Sequence, residues 1–252
     1  TLGITYDAAG ALDEKYESNN QYARQWEWSP LGLAFNAPVG RPMPPDRTGG
    51  WDQLDAGSAP WFNCDGLRTP LFAPSGDDGW WGGVAVMPGD TSDVNLRLHE
   101  LQPGVDDGFA ANVAGSAWGV AHSDFVLADF RVTAPRAFDV GVIAGEGGQN
   151  YVAEVVRSAF RGTNPDGLFG PFALGPNRML HLHEFWLDPG TYTVDVLNET
   201  GAVDWGVTLY EPGTLLRKSA NLAASYLDGG AGIGEQLTVT TTVAGYHCVA
   251  VW

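Results

Sequence analysis

Val84-Ala85-Val86-Met87-Pro88-Gly89, followed by Asp93-Val94-Asn95-Leu96-Arg97-Leu98-His99, decides the fold, because the pattern returns later in the chain. At an offset of 111 residues stand Asp195-Val196-Leu197-Asn198-Glu199-Thr200 and Asp204-Trp205-Gly206-Val207-Thr208-Leu209-Tyr210. In both copies a run with apolar alternate positions is followed by a polar turn and a second alternating run. A period of two is the signature of a strand with one face in a core. The match continues at the same offset from Asp124–Phe130 to Glu235–Thr241. It ends at an offset of 108, with Phe138-Asp139-Val140-Gly141-Val142 set against Tyr246-His247-Cys248-Val249-Ala250. Four matched strands in one order predict two related modules. Leu96 should then fall on Val207 and Leu98 on Leu209, all facing a core.

The fold class expected is all-β, as two tandem antiparallel jelly-roll-like β-sandwich modules. The glycine-rich stretch Gly145-Glu146-Gly147-Gly148 marks the boundary, giving modules over 1–145 and 146–252. The first carries a long Pro/Gly-rich insertion over 36–79. Gly 34 and Pro 16 in 252 residues suit many short strands joined by turns. Pro189-Gly190 makes a turn into Thr191-Tyr192-Thr193-Val194-Asp195-Val196, which alternates as a half-buried antiparallel strand does. Tyr151 to Phe160 fits either period and is read as a strand from its neighbours. Leu12 to Trp28 lacks Gly and Pro and has room for one short helix.

Thirty Asp and Glu against thirteen Lys and Arg give a net charge of −17. Such a charge repels phosphate backbones and anionic bilayers, so nucleic acid and membrane surfaces are excluded as partners. No apolar run reaches the length that spans a bilayer, which argues against membrane insertion.

The opening Tyr16-Glu17-Ser18-Asn19-Asn20-Gln21-Tyr22-Ala23 resembles the start of bacterial pre-peptidase C-terminal (PPC) domains. Pro189-Gly190-Thr191-Tyr192-Thr193-Val194 and Ala244-Gly245-Tyr246-His247-Cys248-Val249 are similar to that family's Gly-x-Tyr-x-Val strand. The resemblance implies a jelly-roll-like sandwich of secreted bacterial proteins, found beside exported enzymes and in some cases binding collagen, polysaccharide or calcium. It places a calcium site at Glu17, Asn19 and Asn20. Lys15 stands where an acidic ligand is expected, and the alternative is that the Asn pair caps a turn.

Two cysteines, Cys64 and Cys248, form one disulfide or remain two buried thiols. His181 and His183 share one face of a strand, and no third ligand is identifiable for a metal. No Gly-x-Ser-x-Gly elbow, phosphate-binding loop or dinucleotide fingerprint occurs. The expected function is therefore a non-catalytic, extracellular structural or adhesive protein of the bacterial surface, a filament, surface-layer or display subunit. It would associate with itself or with other surface proteins. The contact surface expected is Trp51, Trp61, Phe62, Trp80 and Trp81, since exposed aromatics mark contacts. The segment Thr1–Asp7 alternates and is a candidate to lie along a neighbour's sheet edge. The alternative is an accessory module that binds an extracellular polysaccharide or protein, with Trp26, Trp28, Trp51, Trp61, Trp80 and Trp81 as stacking candidates, and a weaker one is a small secreted hydrolase.

Overall fold

The computed structural model describes residues 4–5, 21–22, 31–42, 63–70, 80–89, 93–100, 112–117, 119, 122–132, 137–144, 150–163, 166–167, 169–171, 178–197, 205–221, 223–226 and 232–252. Among them the chain is strand and turn, with no helix. The strands of the first part are β1 (Ile4–Thr5), β2 (Gln21–Tyr22), β3 (Leu31–Gly32), β4 (Val39–Pro42), β5 (Asn63–Arg68), β6 (Trp81–Pro88), β7 (Val94–Glu100), β8 (Asn112–Ser116), β9 (Asp124–Asp129) and β10 (Phe138–Ala144). They continue as β11 (Asn150–Arg157), β12 (Phe160–Gly162), β13 (His181–Leu187), β14 (Gly190–Val196), β15 (Gly206–Tyr210), β16 (Leu216–Arg217), β17 (Ala223–Tyr226), β18 (Glu235–Thr241) and β19 (Gly245–Val251).

Four sheets stack face to face. The first has the order β3-β5-β10-β7-β8, the second β16-β9-β6-β11-β4, the third β12-β13-β19-β15-β17 and the fourth β14-β18. Three apolar layers fill the gaps between them. Leu96, Leu98, Val140 and Val142 meet Val84, Val86, Val126, Ala153 and Val155 between the first and second sheets. Val207, Leu209 and Val249 meet Leu237 and Val239 between the third and fourth. Between the second and third, Trp81, Ala85, Phe125, Leu127 and Val156 meet Leu180, Leu182, Tyr210, Cys248 and Ala250. The two middle sheets are thus covered on both faces, and their strands read as continuous buried runs: every residue of β9 and β15 is buried. The outer β14 and β18 alternate instead.

The strand pairings run in a similar order in the two parts of the chain. β6 pairs with β9 as β14 pairs with β18, and β8-β7-β10-β5 has the same order as β17-β15-β19-β13. Leu96, Leu98, Val207 and Leu209 are all buried in cores, as expected. Two of the expected registers are one residue out. Leu96 faces Val142 and Leu98 faces Val140, while Val207 faces Val251 and Leu209 faces Val249. Val140 therefore corresponds to Val249, not to Cys248. In the same way Val84 faces Val126 while Val194 faces Leu237, so Val84 corresponds to Val194, not to Asp195. A slip of one residue exchanges the two faces of a strand, and only pairing partners detect it.

The boundary expected at 145–148 lies between β10 and β11. β11 pairs with β6 and β4 inside the second sheet, and β16 returns to pair with β9 there. Tyr151–Phe160 contains strand, as expected. Of the Thr1–Asp7 segment the described residues are Ile4 and Thr5, which pair within the chain, Ile4 with Tyr22 and Thr5 with Gln21. The helix expected over 12–28 lies mostly outside the described residues, and Gln21–Tyr22 within it is strand.

Candidate functional site

Charged groups gather at one end of the seam between the two middle sheets. Leu180, just before β13, and Leu182 and Glu184 on it alternate toward the seam, so alternation carries a carboxylate into a layer that is otherwise apolar. Glu184 is fully buried. Its Oε1 accepts from the Trp81 backbone N–H at 2.7 Å, and its Oε2 accepts from Arg131 Nη1 at 2.8 Å and Arg161 Nε at 3.2 Å. Arg131 is oriented by Asp129, whose Oδ1 accepts from both its Nε (2.8 Å) and its backbone N–H (2.9 Å). A desolvated carboxylate is tolerated only with such pairing.

Aromatic rings flank the two guanidinium groups. Arg131 lies 4.4 Å and Arg161 5.1 Å from the centre of the Tyr246 ring, and Arg161 lies 4.2 Å from that of Trp80. Trp186 meets Tyr246 edge-on at 5.2 Å and is 41% exposed. Planar cations over ring faces are attracted by the ring quadrupole. The group presents a half-exposed stacking surface in which two arginines balance Glu184 and Asp129. Arg131 Nη2 is buried and makes no hydrogen bond.

At another point of the seam Glu154 of β11 mirrors Glu184. Its Oε2 accepts from the Met179 backbone N–H at 3.0 Å, and its Oε1 pairs with Arg178 Nε at 2.5 Å. Burial raises its carboxyl above the usual range, against the lowering effect of the Met179 N–H and Arg178. Lys218 is fully buried too. Its Nζ donates to the Ser123 carbonyl at 2.8 Å and sits 3.3 Å from the centre of the Trp252 ring. Burial brings its amine down to about 7, although Asp124 pulls the other way.

His181 and His183 share a face as the alternation predicts, with ring centres 5.9 Å apart. Both are buried, and burial lowers each to about 4; Arg178 adds to this for His181, and His181 for His183. No group of three or more His, Cys, Asp or Glu among the described residues lies where it could hold a metal. Thr241, His247 and Glu211 form a buried chain. The Gly245 carbonyl accepts from His247 Nδ1 at 3.0 Å, so Nε2 accepts from the Thr241 hydroxyl at 2.8 Å, and Oγ1 of Thr241 lies 3.1 Å from Glu211 Oε1. Thr241 and His247 are at most 1% exposed, which closes this nucleophile–base pair to a substrate.

Of the aromatic surface expected, Trp80 is half-buried in the arginine stack, whereas Trp81 is a core residue with no exposure. Trp81 fills the seam because it begins β6, a strand buried on both faces. Trp26, Trp28, Trp51, Trp61 and Phe62 lie outside the described residues, as do Glu17, Asn19 and Asn20 of the expected calcium site. Of the two alternatives for Cys64 and Cys248, the disulfide is not formed. Cys248 is a buried free thiol on β19, facing the seam beside Glu184, while Cys64 lies on β5 of the first sheet. Burial first, and then Glu184 and Asp129, push that thiol's pKa well up.

No motif in the sequence marks Arg131, Arg161, Glu184, Tyr246 or Lys218 as site residues. A signal was available in His181-Leu182-His183-Glu184-Phe185-Trp186-Leu187, where an acid sits in an apolar run and calls for a buried cation.

No family model matches the chain. A stretch of 145 residues is 26% identical to subunit 1 of methanol dehydrogenase (cytochrome c) from Methylorubrum extorquens. It covers 53% of this chain and 23% of that protein, so the chain spans about a quarter of the length of the curated relative it matches.

Proposed function

We propose that this chain is a non-catalytic structural or adhesive protein of the bacterial exterior, built from two copies of one jelly-roll-like sandwich module. The observation that carries the reading is where the buried charges end. Glu184 holds Trp81, and Glu154 holds Met179, each across the seam between the middle sheets. Lys218 ties the β16 return to the chain entering β9. The two carboxylates fasten sheet to sheet, Lys218 works within the second sheet, and all three are buried. The PPC-like opening supports export, and calcium at Glu17, Asn19 and Asn20 belongs to the same reading. Its partners are further copies of the chain or other surface proteins.

Immunogold labelling of producing cells, with sedimentation of shed material, tests this. Label on the cell exterior in sedimenting assemblies is expected; label confined to the cytosol overturns it.

A second reading rests on Trp186, Tyr246 and Trp80 with their two arginines. Exposed rings beside planar hydrogen-bond donors are suited to stacking on sugar rings, which makes this the place where an accessory module would hold a polysaccharide.

A further inference from the structure

The fourth sheet is short for its place in the repeat. Its counterparts β9 and β6 lie inside a five-stranded sheet, where β11 occupies the free edge of β6. There β11 sets Val155 opposite Val84 and Ala153 opposite Val86. Both valines are shut off from solvent, at 1% and 0% exposure. Among the described residues β14 pairs with β18 alone. Val194 and Val196, the counterparts of Val84 and Val86, remain half-buried at the margin of their core, together with Tyr192.

Exposed edges are ordinarily blunted by lysine, proline, a bulge or a covering loop. β14 reads Gly-Thr-Tyr-Thr-Val-Asp-Val, with no lysine, no proline, an unbroken register against β18 and one charge, Asp195. Its Thr, Tyr and Val content favours strand pairing.

We propose that the edge of β14 that no described strand covers pairs antiparallel with β14 of a second copy of this chain, about a two-fold axis at Thr193. This rests on reading the chain as a self-associating structural protein, and names the surface it uses. The two short sheets become one four-stranded sheet, β18-β14-β14-β18.

The strand is complementary to itself in this register. With the axis at Thr193, Tyr192 faces the second copy's Val194, an aromatic on a β-branched residue, and both point toward the cores. Each therefore covers side chains that the missing strand leaves half-buried. On the outer face Thr191 lies opposite Asp195, a hydroxyl against a carboxylate, and Thr193 lies opposite itself. The two Asp195 side chains sit toward opposite ends of the pair, so no like charges face each other. A two-fold contact of this kind closes on itself and makes a dimer, not a fibre.

The test uses Thr193→Cys and Thr193→Lys, both at an exposed position. Directly opposed residues of an antiparallel pair have Cα atoms about 4.5–5.5 Å apart, within disulfide reach. Mild oxidation of T193C is expected to give a covalent dimer on non-reducing gels. Thr238→Cys, on the neighbouring strand, is the control. Two such positions would lie three strand spacings apart, about 14 Å, beyond a disulfide. T193K sets like charges opposite each other and is expected to weaken the dimer about fivefold in analytical ultracentrifugation. Circular dichroism checks that both variants fold. No crosslink in T193C, equal crosslinking in T238C, or T193K sedimenting as the unmodified protein overturns the β14 contact. If the unmodified protein still assembles in those cases, the structural reading stands without it; cytosolic labelling of cells removes that reading whatever the crosslink shows.

Discussion

Glu184 accepts the backbone N–H of Trp81 across 103 residues of sequence, so a side chain of the third sheet closes a backbone hydrogen bond of the second. The same carboxylate gathers Arg131 and Arg161, which stack on Tyr246 and Trp80. Seam and surface stack thus depend on one buried charge.

Glu184→Gln keeps an acceptor for the Trp81 N–H but takes one counter-charge from each of two arginines, of which Arg131 keeps Asp129. Removing one member of a buried ion pair costs about 3–5 kcal/mol. The two guanidinium groups are 23% and 20% exposed, so solvent compensates in part and the lower end of that range is expected. Urea unfolding measures it, and a loss below about 0.5 kcal/mol, the range of ordinary surface substitutions, would show that the charge is not needed at the seam.

Lys218 makes stability rise with pH above neutrality. Its folded pKa of about 7 lies below the ordinary 10.5, so between those values the unfolded chain binds more protons than the folded one. Each pH unit in that window adds up to about 1.4 kcal/mol, and below pH 7 the contribution is flat. His181 and His183 act in the same direction between about 4 and 6.5. Lys218→Met should abolish the rise between pH 7 and 10 in urea unfolding while leaving the acid window in place. An unchanged alkaline slope in that variant would contradict the assignment.

Cys248 should resist iodoacetamide in the folded protein and react once urea is added, because it is buried and its thiol is held protonated. Peptide mapping by mass spectrometry reads this. A reductant should leave Tm unchanged, and recovery of a Cys64–Cys248 peptide pair would contradict the free thiol.

Trp186→Ala should leave stability within about 1 kcal/mol, since the ring is exposed at the rim. If the arginine–aromatic stack holds polysaccharide, affinity electrophoresis shows retardation of the unmodified protein that W186A loses. Retardation equal in both would move any glycan contact elsewhere.

Alternation made most of the fold legible. β7 and β15 carry apolar residues at every second position, and Leu96, Leu98, Val207 and Leu209 reach cores as that pattern predicts. Registers were not legible where both faces of a strand are apolar. In Cys248-Val249-Ala250 each residue is buried, so no polar neighbour tells which one matches Val140. The boundary at 145–148 rests on composition alone, which carries no information on sheet membership; β11, which follows it, pairs with β6 and β4. The site was least legible. Arg161, Glu184 and Tyr246 come from three strands that pair side by side in the third sheet, and Arg131 reaches them from the end of β9 in the second, so long-range pairing and stacking together assemble the site.

The stacking runs head to tail. By strand correspondence the third sheet is the second copy's version of the first, so the back of one copy is packed on the front of the next. Nothing in that geometry closes, and a third copy placed on the fourth sheet would continue it. That surface is Thr191, Thr193 and Asp195 beside Gln236, Thr238 and Thr240, all exposed, where the equivalent face of the first copy carries Ala85, Phe125 and Leu127. A threonine-lined plate offers an incoming apolar sheet nothing to bury. It acts as a terminator, as polar end repeats do in solenoids, and limits this stack at that end to two copies.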